Sequence, residues 1–193
     1  MSGSSDPYTY PGTDVLRNLL DIRDPQQLAA FEANATAARL IELDAAPLAG
    51  WFDVAYLKAI HRFMFQDVYP WAGEFRTVNI SKGGHLFGAA AFVEPALHEV
   101  LRKLPGEHYL KGSDPRTFAL RAGFYMGELN AIHPFRDGNG RAQREFIREL
   151  AIRAGFAIDW SRATRERITM ASLESFQTGD SSGMAALIDL SMK

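Results

Sequence analysis

Apolar side chains recur at helical spacing along most of this chain. Leu28, Phe31, Ala35 and Ala38 share one face of a helix that runs to about Leu43. Its start is written in Asp24-Pro25-Gln26-Gln27: an aspartate to accept from free backbone N–H groups, a proline at the first helical position, and a glutamine completing a capping box. A second helix starts at Asp53, carries Leu57, Ile60 and Met64 on one face, and ends before Pro70. Between Phe75 and Val93 the texture changes. Phe75, Thr77, Val78 and Ile80 favour strand, Lys82-Gly83-Gly84-His85 supplies a turn, and Leu86-Phe87 and Phe92-Val93 resume apolar character, which predicts a short β-hairpin over about 75–93. An isolated hairpin is marginal in water, so in a helical chain it reads as a flap rather than as core. Helices return from Glu94 to about Leu104, and then from Ser113-Asp114-Pro115 through Phe118, Ala122, Tyr125, Leu129 and Ile132. After a loop, a further helix covers about Arg141 to Ala154 and stops at Gly155. Two more are expected from Ser161 to about Phe176 and from Ser182 to about Ser191. Residues 1–14 are turn-rich and are expected to wrap the surface. Seven or so helices and one hairpin predict an all-α domain with a small β appendage.

Composition adds boundaries. The 193 residues, 47% hydrophobic and 23% charged, are ordinary for a globular chain and exclude disorder over most of the length. They contain no repeat and no long linker, so 1–193 reads as a single domain. The net charge of -2 gives no global basic field, which argues against nucleic acid as the main partner. No cysteine is present, which removes disulfides, zinc thiolates and thiol catalysis and suits a reducing cytoplasm. No run of about 18 apolar residues predicts a membrane span, and Met1-Ser2-Gly3-Ser4-Ser5-Asp6 lacks the basic start of a secretory signal.

The chemistry concentrates in His133-Pro134-Phe135-Arg136-Asp137-Gly138-Asn139-Gly140-Arg141-Ala142-Gln143-Arg144. One buried helix ends there and another begins, and the free N–H groups and dipole of a helix start favour an anion. Gly138 and Gly140 let the backbone approach a ligand, Asn139 adds side-chain donors, and Arg141 and Arg144 leave the first turn as two guanidinium clamps. A carboxylate, Asp137, beside such a cradle suits Mg²⁺ bound jointly to protein and phosphates. His133 can serve as a general base. The set fits phosphoryl or nucleotidyl transfer from a nucleoside triphosphate. An Asn-Gly alone is usually a turn, and an arginine pair alone a solvated face; their conjunction in one short segment favours function. His61, His98 and His108 read as structural, and the aromatic cluster from Trp51 to Trp71 as core. No Walker sequence is present.

The segment His133–Arg144 resembles the full signature of the Fic (filamentation induced by cAMP) family, HPFx(D/E)GNGRxxR, at every defining position. Tyr69-Pro70-Trp71-Ala72-Gly73-Glu74-Phe75-Arg76, Lys82-Gly83-Gly84-His85, Asp6-Pro7-Tyr8 and Arg153-Ala154-Gly155-Phe156 agree in order and spacing, so the resemblance spans essentially the whole chain. It implies a helical Fic core with a hairpin flap, and transfer of AMP from ATP to a hydroxyl side chain of a target protein. By this resemblance His133 is the base and Phe135 the loop's anchor. Asp137 holds Mg²⁺, and Gly138, Asn139 and Gly140 line the anion hole. Arg141 takes the β-phosphate and Arg144 the γ-phosphate. Lys82, Gly83, Gly84 and His85 cover the nucleotide and pair with the target as an added strand. Thr169, Met170 and Gln177 lie near the adenosine.

Gly140 stands where phosphorylating relatives typified by Doc carry lysine, which implies adenylylation; transfer of another nucleotide, phosphocholine or phosphate and an inactive nucleotide-binding scaffold are the alternatives. The inhibitory pattern (S/T)xxxE(G/N) of many family members is absent, since no Glu precedes Gly or Asn. The resemblance therefore implies a toxin held by a small separate antitoxin, whose glutamate would reach Arg144. It suggests type II topoisomerase subunits, gyrase B or a topoisomerase IV subunit, as the target class. A secreted effector is a further alternative.

Overall fold

The computed structural model describes residues 6–82 and 84–193. Seven α-helices follow in order among them: α1 Pro25–Ala45, α2 Val54–Phe65, α3 Val93–Leu101, α4 Pro115–Ile132, α5 Asn139–Ala154, α6 Arg165–Thr178 and α7 Ser182–Ser191. The expected caps are in place. Asp24 Oδ1 accepts from Gln27 N–H at 2.8 Å, Asp53 Oδ1 from Tyr56 N–H at 2.9 Å, and Asp114 Oδ1 from the N–H groups of Arg116 and Thr117. Each satisfies donors that a helix start leaves free.

The core forms around α4 and α5. Phe118, Ala122, Tyr125 and Leu129 of α4 and Phe146, Ile147 and Leu150 of α5 are fully buried. The α4 stripe meets α7, α6, α5 and α3, and α5 also packs on α2. This arrangement fixes the far end of α4 and the near end of α5, between which the signature loop is strung.

Three expectations change. The hairpin pairs over a much shorter stretch: β1 Ser81–Lys82 runs antiparallel to β2 His85–Leu86, and residues 75–80 form no strand. Side chains take the backbone groups a longer ladder would need. The Arg76 guanidinium donates to the carbonyls of Val78 and Gly88, and Asn79 Oδ1 accepts from Ala90 N–H at 2.8 Å. On the far side a short 3₁₀ turn, Ala90–Phe92, leads into α3. The helix expected from Ser161 begins at Arg165 instead. Asp159 closes a turn onto Ser161, and Thr164 caps α6 by accepting from Arg167 N–H. The early segment does more than wrap the surface. Tyr10, Val15 and Leu16 are buried, and Thr9 bridges Leu16.

Candidate active site

The loop from His133 to Gly138 is shaped by its neighbours on every side. His133 ends α4 in the left-handed conformation, with φ of 49° and its N–H on Leu129 O. Its Nδ1 lies 3.2 Å from Asn130 O. A carbonyl can only accept, so this contact places the imidazole proton on Nδ1 and the lone pair on Nε2. The Phe87 ring stacks on the imidazole, with centroids 3.8 Å apart and planes 15° apart.

Asn139 is buried, and its amide makes a closed pair with the Phe135 backbone: Oδ1 accepts from Phe135 N–H and Nδ2 donates to Phe135 O, both at 2.8 Å. The expectation that its side chain offers donors to an anion is thus narrowed, because both ends of the amide are tied to the Phe135 backbone. What remains for a ligand at this helix start is backbone, the N–H groups of Asn139 and Gly140, which have no intrahelical acceptor.

His61 reads from sequence as a core residue, and it is fully buried. It is also the loop's main brace. Nδ1 accepts from Gly73 N–H at 2.9 Å, so Nε2–H donates to Asp137 O at 3.0 Å. Its ring stacks on Phe135 at 3.8 Å. Burial pushes its pKa down to about 4, so it sits there as neutral imidazole. Arg76, also buried, completes the frame. Besides Val78 and Gly88 it donates to His133 O at 2.8 Å and Ile132 O at 3.2 Å, and its own N–H reaches Pro134 O. Burial depresses its pKa, and its donors are matched by carbonyls on both the flap base and the loop. From the other side, Asp6 pairs with Arg136 at 2.6 Å.

The two signature arginines differ. Arg141 is held in place: Nη2 donates to Glu32 Oε1, Nη1 to Thr36 Oγ1 at 3.3 Å, and the guanidinium lies 4.7 Å from the centre of the Phe65 ring. Arg144 has no carboxylate partner among the described residues; burial, and then the Arg141 charge, lower its pKa. It is the group in the site most in need of an anion. Asp137 is half-exposed; its Oδ1 accepts from Gly138 N–H.

All of this faces one cleft of about 1140 Å³, large enough for a nucleotide. His133, Asp137, Gly138, Asn139, Gly140, Arg141 and Arg144 all lie on it, as the sequence predicts. Opposite stand Ile80, Ser81 and Phe87 from the hairpin and its base, Trp160, and one face of α6 with Thr169 and Phe176. Met170 does not belong to this wall. It is 70% exposed, because a step of one residue turns the helix by about 100° and carries it off the face that holds Thr169. Gln177 is also outside the lining. On the flap, Gly84 is exposed and off the wall, Gly83 lies outside the described residues, and for Lys82 and His85 only the backbone is described.

The sequence pattern of the Fic/DOC family matches residues 51–151, the stretch that carries the flap and the loop. The chain belongs to the Fic/DOC family. It is 46% identical over 186 residues to the protein adenylyltransferase VbhT of Bartonella schoenbuchensis, spanning 96% of this chain but 39% of that longer protein. It is 39% identical over 184 residues to the "Probable protein adenylyltransferase Fic" of Escherichia coli, spanning 94% of this chain and 88% of that one. The crystal structure of the BepC protein of Bartonella tribocorum with bound AMPPNP superposes with a TM-score of 0.91 at 30% identity, covering 96% of each chain. Within the family signature, the Fic loop here is complete. The residues that hold it in shape, His61, Asn139 and Arg76, come from α2, from the first turn of α5 and from the flap base.

Proposed function

We propose that this protein adenylyltransferase moves AMP from ATP to a hydroxyl side chain of a target protein. The observation that carries the reading is the convergence on one cleft of an imidazole with its lone pair on Nε2, a helix start with free backbone N–H groups, and Arg141 and Arg144. The target oxygen attacks the α-phosphorus while His133 Nε2 takes its proton. The bond to the α–β bridging oxygen breaks, and pyrophosphate leaves with its charge held by the helix start and the two arginines. Phe87 and the Asn130 carbonyl keep the imidazole plane fixed for that transfer.

ATP is the donor by this reading, and Gly140 supports it. A Cβ there would lie 3.3 Å from Arg144 Nη1, so a larger side chain would crowd the guanidinium assigned to the γ-phosphate. Asp137 fits Mg²⁺. Its carboxylate borders the cleft with Oδ2 unbonded, and no group of three or more acidic or histidine ligands surrounds it among the described residues, which matches an ion that shares its shell with phosphates and water. When bound, the ion would neutralise charge on the phosphates.

The proposal extends to biology. The chain acts in the cytoplasm as the toxin of a toxin–antitoxin pair, its 193 residues forming one Fic domain. A glutamate from a small antitoxin pairs with Arg144 and displaces the γ-phosphate, and a type II topoisomerase subunit is the target. No helix among the described residues is long and apolar enough to cross a membrane.

The test uses the purified chain with Mg²⁺, a bacterial lysate, and ATP labelled at the α- or the γ-phosphate. Labelled protein from the α-label alone, reduced roughly 10²–10⁴-fold by His133→Ala, is the expected result. Label from the γ-phosphate would instead mean phosphoryl transfer. Label from neither, with nucleotide still bound, would mean another donor or a scaffold.

A further inference from the structure

Arg141 is the signature residue with the most developed surroundings, and those surroundings come from outside the signature. Glu32 on α1 lies 109 residues away in sequence, yet its Oε1 accepts from Arg141 Nη2 at 2.5 Å. Its other oxygen, Oε2, accepts from the Tyr69 phenol. Tyr69 is buried, and burial first, then the Glu32 carboxylate, push its pKa up, so the phenol remains a donor and fixes the plane of the carboxylate. Thr36, one turn along α1 from Glu32, accepts from Nη1 through Oγ1 and donates its own hydroxyl hydrogen bond to Glu32 O at 2.8 Å. The Phe65 ring closes the remaining side. Two N–H groups of the guanidinium are thereby used, and the others stay available to the cleft.

The alternative position for this guanidinium is also defined. Asp137 Oδ1 stands 4.0 Å from the same Nη2, four residues earlier at the helix start. Arg141 therefore lies between two acids and is drawn to Glu32. Coulomb attraction falls with distance, so with Glu32 neutralised the nearest negative charge would be Asp137. The guanidinium would then swing toward the loop.

We propose that Glu32 is a positioning residue for nucleotide binding: anchored by Tyr69, it holds Arg141 at the β-phosphate end of the cleft and short of a direct hydrogen bond with Asp137. This rests on the reading above, in which Arg141 meets the β-phosphate. Glu32 itself touches no substrate. It acts by ordering a flexible cation before the ligand arrives, so that less conformational freedom is lost on binding.

The experiment measures dissociation constants for AMP, ADP and ATP by calorimetry, in the full chain carrying His133→Ala so that no transfer consumes the ligand. Glu32→Gln should weaken ADP and ATP about ten-fold and leave AMP unchanged, since AMP has no β-phosphate. Tyr69→Phe keeps the carboxylate but loosens it, and should weaken the same two ligands about three-fold. It provides a second arm should Glu32→Gln fold poorly. In an Arg141→Ala background, adding Glu32→Gln should change nothing further. Equal loss for AMP, ADP and ATP would make Glu32 merely structural and overturn the proposal. So would unchanged ADP and ATP affinities, or a full Glu32→Gln effect persisting without Arg141. If Arg141→Ala itself left ADP and ATP affinity intact, the assignment of Arg141 to the phosphates would fail, and the role of Glu32 with it.

Discussion

Gly138 at the foot of the signature loop and Gly84 at the turn of the flap share a backbone conformation, with φ of +78° and +82°. Their surroundings are opposite. A Cβ on Gly138 would stand 2.3 Å from Phe65 Cζ, whereas one on Gly84 would meet nothing within 4 Å. The loop is built into the core, with Phe135 and Asn139 buried and His61 beneath it. Among the described residues the hairpin ladder pairs Ser81 with Leu86 and Lys82 with His85, with Phe87 N–H on Ile80 O at its base, and Leu86 is 65% exposed. The wall to which the chemistry is assigned thus inherits the rigidity of the fold. The wall that would meet a protein partner has few contacts of its own, as expected of an element that adapts on binding.

The same substitution in both places breaks or sharpens this contrast. Gly138→Ala has the larger expected effect, because it forces both a left-handed alanine and an overlap with a buried ring. A loss of about 3–5 kcal/mol, or roughly 10 °C in Tm, should appear in thermal melts. A melt matching the parent would mean the loop is not held by the core.

The next effect is a pH dependence. Unfolded His61 takes a proton near its ordinary pKa of 6.5, while the folded group resists until about pH 4. Its contribution to stability is therefore complete above pH 6.5 and lost as pH falls through 4, a change of roughly 3 kcal/mol. In denaturant titrations the gap between the parent and His61→Gln should be widest at pH 7 and close toward pH 4. Glu149, buried beside Tyr56 with its pKa pushed up to about 7 by burial, runs the other way. Its contribution falls as pH rises from about 4.5 to 7, but it is common to both proteins and cancels in the difference. A gap independent of pH would show that His61 takes up a proton as readily in the folded state as in the unfolded chain, and would overturn its buried neutral state.

Gly84→Ala is the smallest. A left-handed alanine in open space should cost about 1 kcal/mol, shift Tm by no more than about 3 °C and leave ATP affinity unchanged. Damage equal to that of Gly138→Ala would erase the distinction between the two walls.

Local rules made much of this legible. The caps at Asp24, Asp53 and Asp114, the buried stripe of α4 and the glycine-led start of α5 all follow from neighbours in sequence. The signature residues do gather on one cleft. What escaped were contacts between distant segments. Nothing near Glu32 or Tyr69 marks them as the support of Arg141, and no periodicity shows that the Arg76 guanidinium would serve the carbonyls of Val78 and Gly88 in place of a longer ladder. Met170 failed on helical phase, one residue from Thr169 on the cleft wall. Asn139 was identified as important, but its amide holds the loop instead of facing the ligand.

The chain has three tryptophans, and they are placed very differently. Trp51 is 67% exposed, Trp71 stacks on Tyr69 at 4.3 Å, and Trp160 lines the cleft with its indole N–H on the Arg144 carbonyl at 3.1 Å. An indole on the cleft wall, hydrogen-bonded to the backbone of Arg144, should respond to a ligand that enters beside it. Occupancy of the cleft should therefore be readable through intrinsic fluorescence with no attached dye and no coupled reaction, and Trp51→Phe would remove the solvent-exposed background.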